Sequence, residues 1–326
     1  MLARLFSKGK KRQGLEKPAL VSFVVVVYDM QLQAENTVRS LLPGYQRGVS
    51  GDEYEVIIVE NASSRLMRED FLQTLPGNFR YVLRRDPEPS PVGAINAGAE
   101  QAKGDCICVM IDGARMLTPG VVRHIIMGHR AAGNAIVAVP GYHLGSELQQ
   151  EAVSSGYSAE VERELLASIA WPDDGYRLFD IACFSGSSAP GFFLPNSESN
   201  CISIPVRVWQ ALGGYDPQFD LPGGGLVNLD MYKRVCEFPG VQHLVLHGEG
   251  SFHQFHGGVT TGGKDPKMRD DYIDNSKRQY RVLRGEEFSS PVTDPIYLGS
   301  IHPAVQRFLH DSALRALNAG GRGSVA

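Results

Sequence analysis

The sequence predicts a doubly wound, mostly parallel α/β sheet, and three observations predict it. Apolar runs of strand length recur at Val21–Tyr28, Tyr54–Val59, Phe79–Leu83 and Cys106–Ile111. The first and last are nearly unbroken, as in strands buried on both faces. Segments with helical spacing separate them, which gives the β–α alternation of a parallel sheet. Three of the runs end in acids or polar clusters: Asp29 after the first, Glu60-Asn61-Ala62-Ser63-Ser64 after the second, Asp112-Gly113 after the fourth. Ligands bind such sheets at the carboxyl ends of strands, nucleotides most often. An acid there is expensive unless something positive or hydrogen-bonding meets it.

Each element has its own signal. Val21–Tyr28 is β-branched almost throughout. Ala34, Val38, Leu41, Leu42 and Tyr45 then recur at helical spacing, and Gly48–Asp52 is a turn. A proline-rich loop, Pro87–Pro91, leads into a helix over Val92–Ala102. Its Gly93, Ala94, Ala97 and Gly98 let that helix approach a sheet or ligand closely. Thr118-Pro119-Gly120 reads as a turn and helix start with Thr118 as cap. Helix Val121–Ala132 and strand Ala135–Val139 follow.

Beyond Pro140 the pattern changes. Gly145–Ile169 is amphipathic and helical with a break at Gly156, and Ser185–Asn200 is a loop rich in Ser, Gly and Pro. Cys201–Ile204 is a short strand and Pro205–Leu212 a helix with proline in its first turn. The run Pro222-Gly223-Gly224-Gly225 feeds a helix from Leu229 to Glu237, and Val241–Leu246 is a strand. His247–Gly263 carries Glu249, His253 and His256 among glycines, before helices over Lys267–Arg284 and His302–Leu317.

Composition narrows the function. A net charge of −4 provides no basic field for nucleic acid. Five cysteines, with no metal-type pair spacing, read as reduced core thiols of a cytoplasmic protein. No run is long enough to span a bilayer, and Met1–Phe6 is too short for a secretory signal. Lys8, Lys10, Lys11, Arg12 and Lys17 make residues 1–18 a basic flexible terminus. Weak peripheral contact with an anionic membrane, at about 1 kcal/mol per basic residue, is the sharper expectation for it. No Gly-x-Gly-x-x-Gly follows the first strand and no lysine-bearing phosphate loop exists, so dinucleotide dehydrogenases and P-loop enzymes are unsupported.

Four segments resemble the GT-A glycosyltransferases, family 2 in particular. They are Val24-Val25-Val26-Val27-Tyr28-Asp29; Ile57-Ile58-Val59-Glu60-Asn61-Ala62-Ser63; Gly93-Ala94-Ile95-Asn96-Ala97-Gly98 through Asp105 to Asp112; and Ser203-Ile204-Pro205 through Gly213-Gly214-Tyr215-Asp216 to Asn228-Leu229-Asp230-Met231-Tyr232-Lys233-Arg234. The resemblance implies a nucleotide diphosphate sugar donor and a hydroxyl acceptor. It implies that Val27, Tyr28, Asp29, Glu60 and Asn61 hold base and ribose, that Ala94 and Asn96 line the pocket, and that Asp112 with Gly113 faces the ribose and a metal-bridged diphosphate. The expected cofactor is a divalent cation, Mn²⁺ or Mg²⁺, which stabilises the departing diphosphate. It further divides the chain into a nucleotide-sugar-binding half over 19–140, an acceptor-side half over 141–260, and a lid loop with C-terminal helices over 261–326.

Two positions depart from the family pattern. The family's Asp-x-Asp reads Asp112-Gly113-Ala114 here. His253 or His256 is expected to complete the metal set with Asp112, or Arg115 or Lys264 to meet the diphosphate without metal. The usual base position falls on Asn228, which cannot accept a proton. Asp230 is therefore the better candidate for the base, its rival role being a carboxylate set against the helix dipole, and stereochemistry stays open. Trp171, Tyr176 and Phe192 are open to core packing or to stacking on an acceptor sugar, and Gly257–Lys264 to serving as a lid or a plain loop. The activity expected is hexosyl transfer. The alternatives are a non-catalytic nucleotide- or sugar-binding relative and, ranked lower, a nucleotidyltransferase, because Asp29-Met30-Gln31-Leu32 lacks the glycine and base of that loop.

Overall fold

A computed structural model describes residues 21–86, 88–258 and 266–320. The basic terminus and Lys264 lie outside them, as does most of the proposed lid.

The first half alternates as the periodicity predicts. β1 (Val21–Val27) leads to α1 (Gln31–Arg39), β2 (Tyr54–Asn61), α2 (Glu69–Leu72), β3 (Phe79–Arg84), α3 (Val92–Glu100) and β4 (Cys106–Met110). A short β5 (Arg115–Leu117) precedes α4 (Val121–Ala131) and β6 (Ala135–Ala138). β7 (Gly141–Leu144), α5 (Gln149–Ala152) and α6 (Ala159–Ala167) follow. The expected break at Gly156 is present, with the glycine at φ +98° and Ser158 capping the next helix through the Val161 amide. β8 (Ala182–Phe184), β9 (Cys201–Pro205), α7 (Val206–Leu212), α8 (Val227–Cys236), β10 (Gln242–His247), β11 (Ser251–His253), α9 (Pro266–Arg284), β12 (Ile296–Gly299) and α10 (Gln306–Gly320) complete the chain.

Eight strands form one sheet in the order β12-β10-β6-β9-β4-β1-β2-β3. Only β9 runs against its neighbours, β4 and β6. β1 pairs in parallel with β2 and with β4. The chain thus winds outward from β1 to β3, then returns to β4 on the other side of β1. That reversal opens a crevice beyond the strand ends. Period-2 alternation places Val21, Phe23, Val25 and Val27 in the core under α1 and α4, and Val24 and Val26 in the core under α3, α7 and α8. Gly98 is needed for the second contact, since a Cβ there would lie 2.5 Å from Val24.

A second sheet, β5-β11-β7-β8, has strands of three or four residues, too short for a periodic signal. Its aromatic core, with Tyr142, Phe179, Phe184, Phe252 and Phe308, takes in Phe192 and leans on α10. The expected Thr118 cap takes another form. Thr118 Oγ1 donates to Glu249 Oε2 at 2.5 Å, and that oxygen also accepts from the Gly120 amide at 3.2 Å. A buried carboxylate from the turn before β11 therefore stands at the start of α4, where the helix dipole favours it. All five cysteines are free. No helix among the described residues is long and apolar enough to cross a membrane.

Candidate active site

The loops after β1 and β2 are the most strained in the described chain. Asp29 and Ala62 have φ of +50° and +54°, a region that non-glycine residues occupy at a cost of about 1 kcal/mol or more. Cross-loop bonds hold them. The Asp29 amide donates to Ser63 Oγ at 2.9 Å, and Asp29 Oδ1 accepts from the Ser64 amide and hydroxyl at 2.6 and 2.7 Å. Burial pushes the Asp29 carboxyl up, but these bonds outweigh it and hold the group below its usual range. Close contact behind β4 is equally specific: a Cβ on Gly113 would sit 2.9 Å from Val27 and 3.0 Å from the Val26 carbonyl oxygen.

A cavity of about 950 Å³ opens beyond these strand ends. Tyr28, Asp29 and Asn61 line it from the ends of β1 and β2, Asp112 from the loop after β4, and Arg115 from the start of β5. His143 and His253 come from the second sheet and His256 from the loop after it, Glu198 and Asn200 from the loop before β9, Asn228 from α8, and Tyr272 and Ser276 from α9. The Tyr28 ring is half exposed at the rim.

Asp112, His253 and His256 each offer a ligand atom within 4.8 Å of the others. The hydrogen bonds around His253 fix its tautomer. Gln149 Nε2 donates to the His253 carbonyl at 3.0 Å and to Glu162 at 3.3 Å, so its Oε1 must accept from His253 Nδ1, 2.5 Å away. His253 Nε2 then carries a lone pair toward His256 Nε2, 3.2 Å off. Burial lowers the pKa of both imidazoles; Arg115 adds to the effect, and Asp112 opposes it at His256 without reversing it, so each ring favours the neutral form that can ligate. One carboxylate and two imidazoles suit Mn²⁺ better than Mg²⁺, which prefers all-oxygen sites.

Arg115 Nε donates to Asp112 Oδ2 at 3.0 Å. The arginine side chain is only 9% exposed, and its Nη1 is buried with no partner. Arg115 also lines the cavity, so a guanidinium with a donor left over borders the space, and such a group pairs well with an anion. Ala114 packs in the apolar core. A carboxylate at 114 would need room there, while the two histidines supply donors from across the cleft.

The other predicted residues lie behind this wall. Val27 and Ala94 are core residues. Glu60 is buried, accepting from Ser63, from the Met67 amide at 3.1 Å and from Tyr81 at 3.3 Å; burial raises its pKa. Asn96 is tied to the Tyr215 backbone in both directions, at 2.9 and 3.1 Å. Asp230 is 1% exposed and clamped by Arg284, with bonds of 2.6 and 2.8 Å, and by Arg234 at 3.5 Å. Trp171, Tyr176 and Phe192 line other contacts: Trp171 meets Tyr45, Tyr176 donates to Glu249, and Phe192 is core. Glu198, His143 and Gln149 carried no sequence signal, because each sits in a loop or short element without periodicity.

The sequence profile described as Glycosyl transferase family 2 matches residues 22–173. No curated protein sequence matches the chain. Among solved structures it is similar to TarS 1-349 of S. aureus, at 9% identity and a TM-score of 0.48, with 81% of this chain and 72% of that one covered. It is also similar to the mannosyltransferase PcManGT from Pyrobaculum calidifontis in complex with GDP-Man and Mn²⁺, at 13% identity, a TM-score of 0.49, and coverage of 95% and 77%. Residues 22–173 thus match the profile of Glycosyl transferase family 2, and they lie on the doubly wound, mostly parallel sheet that the sequence predicts.

Proposed function

We propose that the chain transfers a hexose-type sugar from a nucleoside diphosphate donor to a hydroxyl acceptor. The observation that carries this reading is the meeting of Asp112, His253, His256 and Arg115 in one cavity at the sheet's reversal point. Tyr28, Asp29 and Asn61 would hold base and ribose, the Tyr28 ring stacking at the rim. The Arg115 guanidinium would donate to a diphosphate oxygen. Asp112, His253 and His256 would hold a divalent cation, with Mn²⁺ preferred. Such a cation supplies charge to the departing diphosphate. Asp112 and Arg115 orient one another, so the donor phosphates meet fixed partners rather than mobile ones.

The test is a thermal-shift screen of UDP- and GDP-sugars with and without Mn²⁺, followed by nucleotide-release assays on the stabilising donors. A bound donor raises the melting temperature by mass action. The reading expects stabilisation that depends on Mn²⁺, and slow release of nucleoside diphosphate. Stabilisation without any turnover would favour a binding protein; no stabilisation by any donor would contradict the reading.

A further inference from the structure

If sugar transfer occurs in this cavity, some group must take the proton from the incoming hydroxyl. The base position on α8 is Asn228, which cannot, and Asp230 is sealed behind the wall by two arginines. A carboxylate nevertheless stands at Asn228. Glu198 Oε2 accepts from Asn228 Nδ2 at 2.7 Å, and both residues line the cavity.

The orientation of that amide is determined. Tyr215 Oη donates to Asn228 Oδ1 at 2.9 Å, which turns Nδ2 toward acceptors only: Glu198, the Ser199 carbonyl at 3.3 Å and Asn200 Oδ1 at 3.2 Å. A charge-assisted bond from a fixed amide aims the glutamate. The other cavity carboxylates are otherwise engaged. Asp29 bridges the strand loops, Asp112 belongs to the histidine cluster, and Glu88 lies 3.7 Å from Arg84 with its side chain more than half exposed.

We infer that Glu198 is the general base, displaced from α8 to the loop before β9 and steadied by Asn228. This rests on the transfer reading above. The acceptor O–H gives its proton to a Glu198 carboxylate oxygen, and the oxygen's electron pair forms the bond to the anomeric carbon. The bond from that carbon to the diphosphate oxygen breaks, its pair leaving on the diphosphate, and Glu198 returns the proton to solvent. Attack from the face opposite the leaving group inverts the anomeric centre.

The experiment uses water as acceptor, with UDP-glucose, UDP-N-acetylglucosamine and GDP-mannose as donors in Mn²⁺. Glu198→Gln should melt as the unaltered chain does and bind UDP or GDP within twofold, while kcat for donor hydrolysis falls about 10²-fold or more. Asn228→Asp in the same chain restores a carboxylate at the α8 position, and the double variant should recover at least tenfold over Glu198→Gln. Hydrolysis by Glu198→Gln at the original rate, or a double variant no faster than the single, overturns the assignment of the base while nucleotide binding leaves the cavity's reading standing. Failure of the unaltered chain to bind either nucleotide or to hydrolyse any donor overturns both.

Discussion

Asp112, just past β4, and Asp230, in the first turn of α8, are the same residue type, yet the fold uses them differently. Asp112 has one arginine, a side chain 21% exposed, and two imidazoles across a cavity. Asp230 has two arginines, with its side chain 1% exposed, and does not reach the cavity. Arg284 binds Asp230 through two nitrogens and also meets Asp216 at 2.8 Å, so the three join α9, α8 and the turn after α7. Partner count separates the two: a carboxylate with its charge already matched is a fastener, and one facing convergent donors and open space is available for chemistry.

Substitutions should separate the two sites sharply. The largest effect belongs to Asp112→Asn, expected to lower kcat/KM for donor turnover by about 10³-fold, roughly 4 kcal/mol, with little change in melting temperature. Asp230→Asn should do the reverse. It is expected to cost about 2 kcal/mol of stability in urea unfolding, discounted because Arg284 stays partly exposed and keeps Asp216, with turnover per folded molecule within about threefold. Comparable turnover losses in both variants would erase the distinction.

A smaller effect is expected one step from the cluster. Gln149→Leu removes the acceptor that sets the His253 tautomer, and Mn²⁺ affinity should fall by about 10-fold or more, measured by Mn²⁺ titration under electron paramagnetic resonance. The smallest concerns pH. Burial raises Glu162 to about 7, against an ordinary 4.5, despite bonds from the Phe255 amide and Tyr157. The folded chain therefore holds this proton more tightly than the unfolded chain. The resulting stability is full below about 4.5 and is lost as pH rises through about 7. Glu162→Gln should flatten that part of the stability–pH curve; an unchanged slope would contradict the assignment.

The comparison also marks what the sequence could convey. Strands buried on both faces announce themselves as unbroken runs, so β1, β2 and β4 and their polar tips were legible, and with them Tyr28, Asp29, Asn61 and Asp112. His253 and His256 were legible as a pair three apart in a glycine-rich segment. The second sheet was not, because strands of three or four residues carry no period. Glu60 and Asn96 bore the right residue types in the right order, but their neighbours Ser63, Tyr81 and Tyr215 consume them, and no local pattern reports that. Glu198 was hidden for the opposite reason. It lies 30 positions from Asn228 in an irregular loop, and only the folded chain joins the two.

The most direct measurement is calorimetry of UDP and GDP binding in Mn²⁺ to the unaltered chain, Asp112→Asn and Asp230→Asn. The account predicts binding by the unaltered chain and by Asp230→Asn, and affinity at least tenfold weaker for Asp112→Asn. Equal affinity in all three would contradict it.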